Sequence, residues 1–296
     1  MRLAVTGREG QVVRSLIDRA YRSDFEIVPL GRSQLDLAGS SSAIVSTIEA
    51  AMPDVIVSAA AYTQVDKAES ERQLAFAINR DGARAVAEAA RRLGVPLIHL
   101  STDYVFDGSK DWPYVEEDKT GPTGVYGASK LAGEQSVFAE HENTAVLRTA
   151  WVYSPFGNNF VKTMLALAGE RDEVRVVADQ RGNPTSALEV ADAILQVAVN
   201  LHAAQNPARR GIFHMTAGGE ASWAEFAEAI FARSAEVGGP SAIVKHIMSA
   251  DYPTAAKRPA NSRLDSSKLE RVHGVRLPDW QSSLKDVVRQ LLEHGA

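Results

Sequence analysis

The stretch Met1-Arg-Leu-Ala-Val-Thr-Gly7-Arg-Glu-Gly10 opens with a short apolar run, ends in two glycines and continues into an amphipathic segment. A strand, a glycine-rich turn and a helix in this order are typical of the first unit of a dinucleotide-binding sheet. Backbone N–H groups at the start of such a helix can approach a pyrophosphate. The spacing is GxxG rather than GxGxxG, and Val13 stands where a third glycine is usual. The turn could be purely structural, but its place in a βα unit favours nucleotide binding.

Apolar strand-like runs alternate with helical patterns over the first half of the chain. The runs are 25–30, 53–61, 95–102 and 144–152, and the longest helical pattern covers 66–90. This alternation predicts an α/β protein with a Rossmann-type, doubly wound parallel sheet. Beyond Tyr153 the pattern loosens. We expect residues 1–153 to form an NAD(P)-binding domain and 154–296 a smaller α+β part, mainly substrate-binding, with some segments returning to the first domain.

Composition limits the function further. The chain has 296 residues, of which 45% are apolar, and 32 Lys and Arg against 37 Asp and Glu give a net charge of -5. Because no basic run or basic-aromatic stripe is present, we do not expect nucleic acid as a partner. No apolar run approaches the length of a membrane span, and the N-terminus lacks a signal-peptide pattern. Cysteine is absent, which excludes disulfides and thiolate catalysis. We expect a cytoplasmic protein without a membrane partner.

Three polar residues carry the chemistry. Thr102 ends the apolar run 95–102, and Tyr126 and Lys130 lie four residues apart, on one face of a predicted helix. A hydroxyl, a phenol and an ammonium can therefore converge at the mouth of the sheet. Such a set can protonate a carbonyl oxygen while a hydride reaches its carbon. The Tyr-x-x-x-Lys spacing alone is common and weak evidence.

Two further features concern the cofactor. Arg32 follows the second strand, where a guanidinium can bind a ribose 2′-phosphate and where an acidic residue would select a free hydroxyl. Arg32 therefore favours NADPH, although a solvated loop arginine is the alternative. Ala59, Ala60 and Ala61 end the third strand, and small side chains there allow a flat cofactor to approach, or a helix to pack closely.

Taken together, the GxxG turn, the alanine triplet, the Ser101-Thr102 strand end and the Tyr126/Lys130 pair resemble the extended short-chain dehydrogenase/reductases. In that family the tyrosine is the proton donor or acceptor. The lysine binds the nicotinamide ribose and lowers the tyrosine pKa, and the Ser or Thr hydroxyl orients the carbonyl. The resemblance therefore implies that Thr102, Tyr126 and Lys130 are the catalytic residues.

Longer motifs, spread over nearly the whole chain, are similar to the dTDP-4-dehydrorhamnose reductase family. These motifs lie at 101–108, 125–134, 148–153, 158–160, 179–185 and 258–264. The family reduces the 4-keto group of dTDP-6-deoxy-L-lyxo-4-hexulose (dTDP-4-dehydro-6-deoxy-L-mannose) with NADPH or NADH and forms dTDP-L-rhamnose. The resemblance implies that a dTDP-keto-sugar is the substrate and NADPH the cofactor, with NADH as a second option.

The same resemblance implies two sets of binding residues. The cofactor set is Gly7, Gly10, Gln11, Val12, Arg32, Asp36, Leu37, Ala59, Ala60, Ala61 and Tyr62, together with Tyr126 and Lys130. The substrate set is Val65, Asp66, Thr102, Tyr104 and Trp151.

Departures from the family pattern concern metal and assembly. Some members dimerise around Mg²⁺ held by glutamates. One of those positions is Ser15 here, whereas Glu189 matches another. The sequence therefore argues against a Mg²⁺ site, and a homodimer is left open.

Alternatives remain at this point. A nucleotide-sugar epimerase or dehydratase uses the same Tyr/Lys pair, and dehydratases place two acidic residues after the Thr. Here Asp103 and Tyr104 follow Thr102, so only half of that pair is present. A regulatory subunit resembling that of methionine adenosyltransferase is a further alternative, although the three catalytic residues are intact. The sequence leaves open which dTDP-4-keto-6-deoxy sugar is reduced and whether NADPH or NADH is preferred.

Overall fold

A computed structural model of the chain describes residues 1–21 and 23–293. The strands are β1 (Arg2–Thr6), β2 (Glu26–Leu30), β3 (Val55–Ser58), β4 (Leu97–Thr102), β5 (Thr144–Thr149), β6 (Val152–Tyr153), β7 (Glu173–Val177), β8 (Arg181–Gly182), β9 (Thr185–Ser186), β10 (Gly211–His214), β11 (Ala221–Ser222) and β12 (Ile243–Ile247). The α-helices are α1 (Gln11–Ala20), α2 (Ser41–Ala50), α3 (Val65–Ala68), α4 (Arg72–Phe76), α5 (Ala83–Leu93), α6 (Val125–Glu140), α7 (Phe160–Ala168), α8 (Ala187–Ala203), α9 (Trp223–Glu236), α10 (Ser267–His273) and α11 (Trp280–Glu293).

The main sheet is six-stranded, in the order β10-β5-β4-β3-β1-β2, and each neighbouring pair is parallel. The chain leaves β1 toward β2 on one side and later returns to place β3 on the other. The direction of winding reverses between β1 and β3, and in doubly wound sheets ligands bind at the carboxyl ends of the strands beside such a point. The predicted Rossmann-type α/β fold is confirmed. The sixth strand, β10, comes from beyond residue 153.

Side chains of β1 alternate between the two faces of this sheet. Leu3 and Val5 pack into a core shared with α1 and α8, whereas Ala4 faces a second core with α2 and α5. All of these side chains are buried, as expected for parallel strands covered by helices on both faces. Burial on both faces explains why the strand runs are almost continuously apolar in the sequence.

A smaller unit is built from α7, α9 and α11 around a separate apolar core. Short strand pairs border it: β7 with β12, β8 with β11, and β6 with β9. Helix α9 begins with a capping box, in which the Ser222 hydroxyl accepts the Glu225 N–H and the Glu225 carboxylate accepts the Ser222 N–H. The smaller α+β part is thus as predicted, while the division at residue 153 stays a prediction.

The predicted helix over 66–90 is not continuous. It is divided into α3, α4, a π-helical turn at Ala77–Gly82, and α5. The turn contains the buried Asn79, whose side chain accepts the Tyr62 N–H at 2.8 Å and donates to the Tyr62 carbonyl at 3.1 Å. A π-turn is typical of places where a helix adjusts to a local contact. Here it directs Asn79 toward the exit of β3.

Within the described residues, no helix is both long enough and apolar enough to cross a membrane.

Candidate active site

The carboxyl ends of β1, β3 and β4 open into one cavity of about 580 Å³. It lies beside the reversal point between β1 and β3, where a doubly wound sheet binds its ligand. The predicted residues that line the cavity are Gly7, Gly10, Gln11, Val12, Ala59, Ala60, Ala61, Val65, Thr102, Tyr104, Tyr126, Lys130 and Trp151. The structure therefore brings the catalytic set, most of the predicted cofactor set and most of the substrate set to one place.

Several predicted residues lie outside this lining. Arg32 is exposed just after β2, and the Asp36 carboxylate accepts the backbone N–H of Ala38 at 3.0 Å. Leu37 is buried in the core, and its carbonyl approaches Gly82 so closely that a Cβ there would lie 2.5 Å from the oxygen. Assignment of Arg32, Asp36 and Leu37 to the cofactor stays a prediction.

Two more predicted residues have protein partners outside the lining. The buried Tyr62 donates its hydroxyl to Glu71 at 2.7 Å, and burial, followed by this hydrogen bond, raises the Tyr62 pKa to about 12. Asp66 forms an ion pair with Arg258 at 2.7 Å, and the hydrogen bond from Arg258 is the main reason that the Asp66 pKa is lowered.

The glycine turn leaves backbone accessible to a ligand. Gly7 has φ +100°, a left-handed conformation that strains other residues, and its N–H donates to the Leu30 carbonyl at 2.7 Å. Gly10 is the N-cap of α1, and a Cβ there would meet no atom within 4 Å. Val13 is buried against this turn, where a third glycine was expected, and fills the sheet–helix interface. The first turn of α1 thus faces the cavity with no side chain at its N-cap, which fits a dinucleotide phosphate.

Thr6 is a structural residue that the sequence reasoning missed. Its buried hydroxyl accepts the backbone N–H groups of Ala59 and Ala60, both at 2.9 Å. This contact joins the end of β1 to the exit of β3 and holds the alanine triplet at the cavity wall. A polar residue directly after the apolar run Leu3-Ala-Val5 was the available signal.

Lys130 is almost completely buried on α6, and its ammonium donates to the Leu100 carbonyl at 2.6 Å. Burial lowers the Lys130 pKa to about 8, and the Glu134 carboxylate acts in the opposite direction. Lys130 is therefore fixed beside the end of β4, where it lines the same cavity as Thr102 and Tyr126.

The Tyr126 phenol is held in its protonated form. Burial raises its pKa to about 12; a contact with the Thr102 side chain lowers it, and the Asp103 charge raises it. The Tyr104 ring packs edge-on against the Tyr126 ring, with centroids 5.6 Å apart. A phenol that remains protonated at neutral pH is suited to donating a proton during a reduction.

Asp103 is the second residue that sequence reasoning missed, beyond noting it as half of an acidic pair. It is buried, it lines the cavity, and Thr102 donates to its Oδ1 at 2.8 Å. Its other oxygen, Oδ2, has no hydrogen-bond partner among the described residues. Burial raises the Asp103 pKa to about 6, although contacts with Thr102 and Ser262 lower it.

Trp151 was predicted on a strand, and this was wrong. Strand β5 ends at Thr149, and Trp151 has φ 48°, an uncommon value for a residue with a side chain. Its ring stacks on Trp223 with centroids 3.5 Å apart, and its Nε1 donates to the Ser262 hydroxyl at 3.1 Å. A Cβ on Gly182 would collide with the ring. These contacts hold the strained conformation, which places Trp151 in the cavity wall.

A buried ion pair lies beneath the site. The Arg148 guanidinium donates to both oxygens of Glu134, at 2.9 and 2.7 Å, and both side chains are 2% exposed. Ser101, next to Thr102, also donates to Glu134. The Glu134 carboxylate therefore connects α6, β4 and β5 directly behind the catalytic residues.

A second cavity, of about 750 Å³, adjoins the first through the Trp151–Trp223 stack, because Trp151 lines the first cavity and Trp223 the second. Its wall combines aromatic and cationic side chains: Phe160, Trp223, Tyr252, Arg175, Lys257 and Arg258. Such a lining suits a ligand with a flat ring and negative charge.

Within residues 1–21 and 23–293, no group of three or more His, Cys, Asp or Glu side chains is arranged to hold a metal ion. Ser15 is buried on α1. Glu189 is half-buried on α8, where burial raises its pKa and the Ser283 hydroxyl lies 3.5 Å away.

A glycine turn at the reversal point of the sheet, with a phenol, an ammonium and a hydroxyl at the adjoining strand end, defines a nicotinamide-dependent oxidoreductase of the Tyr/Lys type. The family profile described as RmlD substrate binding domain matches residues 1–293. Together with the relatives below, this match shows that the chain belongs to the dTDP-4-dehydrorhamnose reductase family, as the sequence motifs predicted.

The relatives cover essentially the whole chain. A dTDP-4-dehydrorhamnose reductase of Sinorhizobium fredii is 55% identical over 295 residues, covering 100% of this chain and 99% of the relative. The Escherichia coli protein of the same name is 40% identical, with 98% of each chain covered. A solved Bacillus anthracis dTDP-4-dehydrorhamnose reductase in complex with NADP superposes with a TM-score of 0.90 at 35% identity, covering 98% of this chain and 99% of that one.

Proposed function

We propose that this protein catalyses the NADPH-dependent reduction of the 4-keto group of dTDP-4-dehydro-6-deoxy-L-mannose (dTDP-6-deoxy-L-lyxo-4-hexulose) and forms dTDP-L-rhamnose. The observation that carries the proposal is the convergence of Thr102, Tyr126 and Lys130 at one cavity. The chain that builds this site is 55% identical, from end to end, to a protein named for this reaction.

The residues at the strand ends fit the cofactor. The backbone of the Gly7 and Gly10 turn would hold the pyrophosphate at the N-terminus of α1, and the small side chains Ala59–Ala61 would leave room for the nucleotide. When bound, NADPH supplies the hydride for the keto carbon. The exposed Arg32 after β2 is our candidate for the 2′-phosphate contact, because a guanidinium pairs well with phosphate.

The protein's own contribution to the reaction is proton supply and positioning. Tyr126, protonated at neutral pH, donates its proton to the oxygen that becomes the C4 hydroxyl. Thr102 positions that oxygen beside the phenol. Lys130, fixed by the Leu100 carbonyl, places a positive charge next to the phenolate that forms and so stabilises it.

We assign the second cavity to the nucleotide of the substrate, because this cavity adjoins the one that would hold the sugar. With the sugar against Val65, Tyr104 and Trp151, a thymine ring can pack among the aromatic side chains, and the diphosphate can meet the cationic ones. This arrangement supports a nucleotide-sugar substrate over a small free ketone. Cytoplasmic location and homodimer formation stay predictions.

The test is steady-state turnover with the purified keto-sugar, followed as the loss of NADPH absorbance, with the product identified by NMR. Formation of dTDP-L-rhamnose at the rate of NADPH loss supports the proposal. A protein that carries tightly bound NAD and interconverts nucleotide-sugars without net NADPH loss would instead be an epimerase or a dehydratase.

A further inference from the structure

The Thr102 hydroxyl has one proton, for which two acceptors would compete: the Asp103 carboxylate and the carbonyl oxygen of a bound substrate. In the structure it donates to Asp103 Oδ1 at 2.8 Å and accepts the Tyr104 backbone N–H at 3.2 Å. A hydroxyl can donate only once. While Asp103 is a carboxylate and keeps this hydrogen bond, Thr102 therefore has no proton left to donate to a substrate carbonyl. The carbonyl oxygen of the substrate would then receive no hydrogen bond from Thr102.

If Asp103 gained a proton, the Thr102 hydroxyl would be free to donate to the substrate carbonyl. Asp103 is 2% exposed and lines the reactive cavity. Its Oδ2 has no hydrogen-bond partner among the described residues, since the hydroxyl of the nearby Ser262 donates to the Arg181 carbonyl at 3.3 Å. A buried carboxylate with an unsatisfied oxygen is costly, and a ligand that fills the cavity removes more water from it. A protonated Asp103 loses that cost and becomes a donor toward Thr102.

We propose that Asp103 is a positioning residue whose protonation turns the Thr102 hydroxyl toward the C4 oxygen of the bound keto-sugar. The inference rests on the proposed function, since it requires a carbonyl substrate at this site. The protonated Asp103 donates to Thr102 Oγ1, and Thr102 donates to the C4 oxygen. Asp103 and Thr102 both keep their protons. The proton that is transferred comes from Tyr126.

The surrounding charges are compatible with this change. The titratable groups that face Asp103 are the Tyr104 and Tyr126 phenols, whose pKa values are raised mainly by burial, so both are neutral near pH 7. Arg258 and Asp66, which act on Tyr104, are paired with each other. The Lys130 ammonium is directed to the Leu100 carbonyl. Burial already raises the Asp103 pKa to about 6 before any ligand fills the cavity.

The direct consequence is proton uptake when the keto-sugar binds. With a pKa of about 6, Asp103 is mostly ionised at pH 7, so a complex that requires its acid form takes up most of one proton per site. This can be measured by isothermal titration calorimetry of the keto-sugar into protein saturated with NADP⁺, which cannot deliver a hydride. Repeating the titration in buffers of different ionisation enthalpy gives the number of protons.

The variant is Asp103→Asn, whose amide N–H can donate to Thr102 at every pH. We expect its proton uptake to fall to nearly zero while it still binds the keto-sugar. The matched control is Glu116→Gln, which removes another carboxyl whose pKa burial raises, outside the cavity lining, and should leave the uptake unchanged. In turnover at saturating NADPH, kcat/KM of the wild type should fall roughly tenfold per pH unit between about pH 6 and pH 7.5, below the Lys130 pKa of about 8. Over the same range, kcat/KM of Asp103→Asn should stay flat.

Proton uptake close to zero in the wild type overturns the inference without any variant. If dTDP-L-rhamnose is nevertheless formed normally, the proposed function stands. Equal uptake in the wild type and Asp103→Asn also overturns the inference. Absence of both keto-sugar binding and turnover in the wild type overturns the proposed function and the inference together.

Discussion

Removing one partner of the buried ion pair between Glu134 and Arg148 should destabilise the protein severely. In Glu134→Leu, the Arg148 guanidinium loses both carboxylate contacts, and Ser101 loses its acceptor. Both charged side chains are 2% exposed, so water cannot replace the lost partner without opening the core. A contact of Arg148 with the Phe106 ring, at 5.1 Å, is too weak to compensate.

An unpaired buried charge costs about 3–5 kcal/mol, whereas replacing both partners by apolar residues of similar size is often neutral. We therefore expect Glu134→Leu to lose about 4 kcal/mol of the free energy of unfolding, and the double variant Glu134→Leu/Arg148→Met to regain most of it. The difference between single and double variants isolates the cost of the uncompensated charge from the cost of altered packing.

Equilibrium unfolding in urea, followed by tryptophan fluorescence, measures the free energy of unfolding of the single and the double variant. With a urea dependence of about 3 kcal/mol per molar, the single variant's midpoint should fall by about 1–2 M. A loss below about 1 kcal/mol in Glu134→Leu would refute the reasoning, because it would mean that Arg148 reaches water or another partner. A double variant as unstable as the single one would place the cost in packing rather than charge.

Three further changes test other parts of the site. Gly182→Ala should displace the Trp151 ring and raise KM for the keto-sugar by about tenfold, because aromatic packing is lost, while KM for NADPH stays unchanged. Gly218→Ala is the control, because its Cβ would have its nearest neighbour at 3.7 Å. Arg32→Ala should raise KM for NADPH by about tenfold and leave KM for NADH unaffected, which steady-state kinetics with each cofactor will show. Burial depresses the His214 pKa to about 3, below its unfolded value of about 6.5, so the unfolded state binds more protons and stability falls as pH drops through this range. Melting temperatures should therefore fall less steeply with acidification in His214→Gln than in the wild type.

The sequence predicted those features that depend on local spacing. A strand, a GxxG turn and a helix at the N-terminus were sufficient to place the phosphate site, and the four-residue spacing of Tyr126 and Lys130 placed both on one helix face. The end of an apolar run located Thr102 at the strand's carboxyl end. Each of these inferences uses a helical or strand periodicity, or a turn, that residues close together in the sequence determine.

Features that depend on contacts across the fold were not predictable. The left-handed φ of Trp151 is held by Trp223 and the close approach of Gly182, 72 and 31 residues away in the chain. The π-turn at Ala77–Gly82 accommodates hydrogen bonds between Asn79 and Tyr62 that no helical periodicity reveals. The Asp103 pKa depends on burial in the folded protein and on a contact with Ser262, which lies 159 residues further along the chain.

The central claim is that Tyr126 donates the proton in the reduction of a nucleotide-linked keto-sugar. Turnover of Tyr126→Phe with the keto-sugar and NADPH, compared with NADPH binding by the same protein, tests it most directly. We predict that kcat falls by about 10²- to 10⁴-fold while the Kd for NADPH changes less than about threefold, since only the hydroxyl is removed. Turnover at the wild-type rate in Tyr126→Phe would contradict the account.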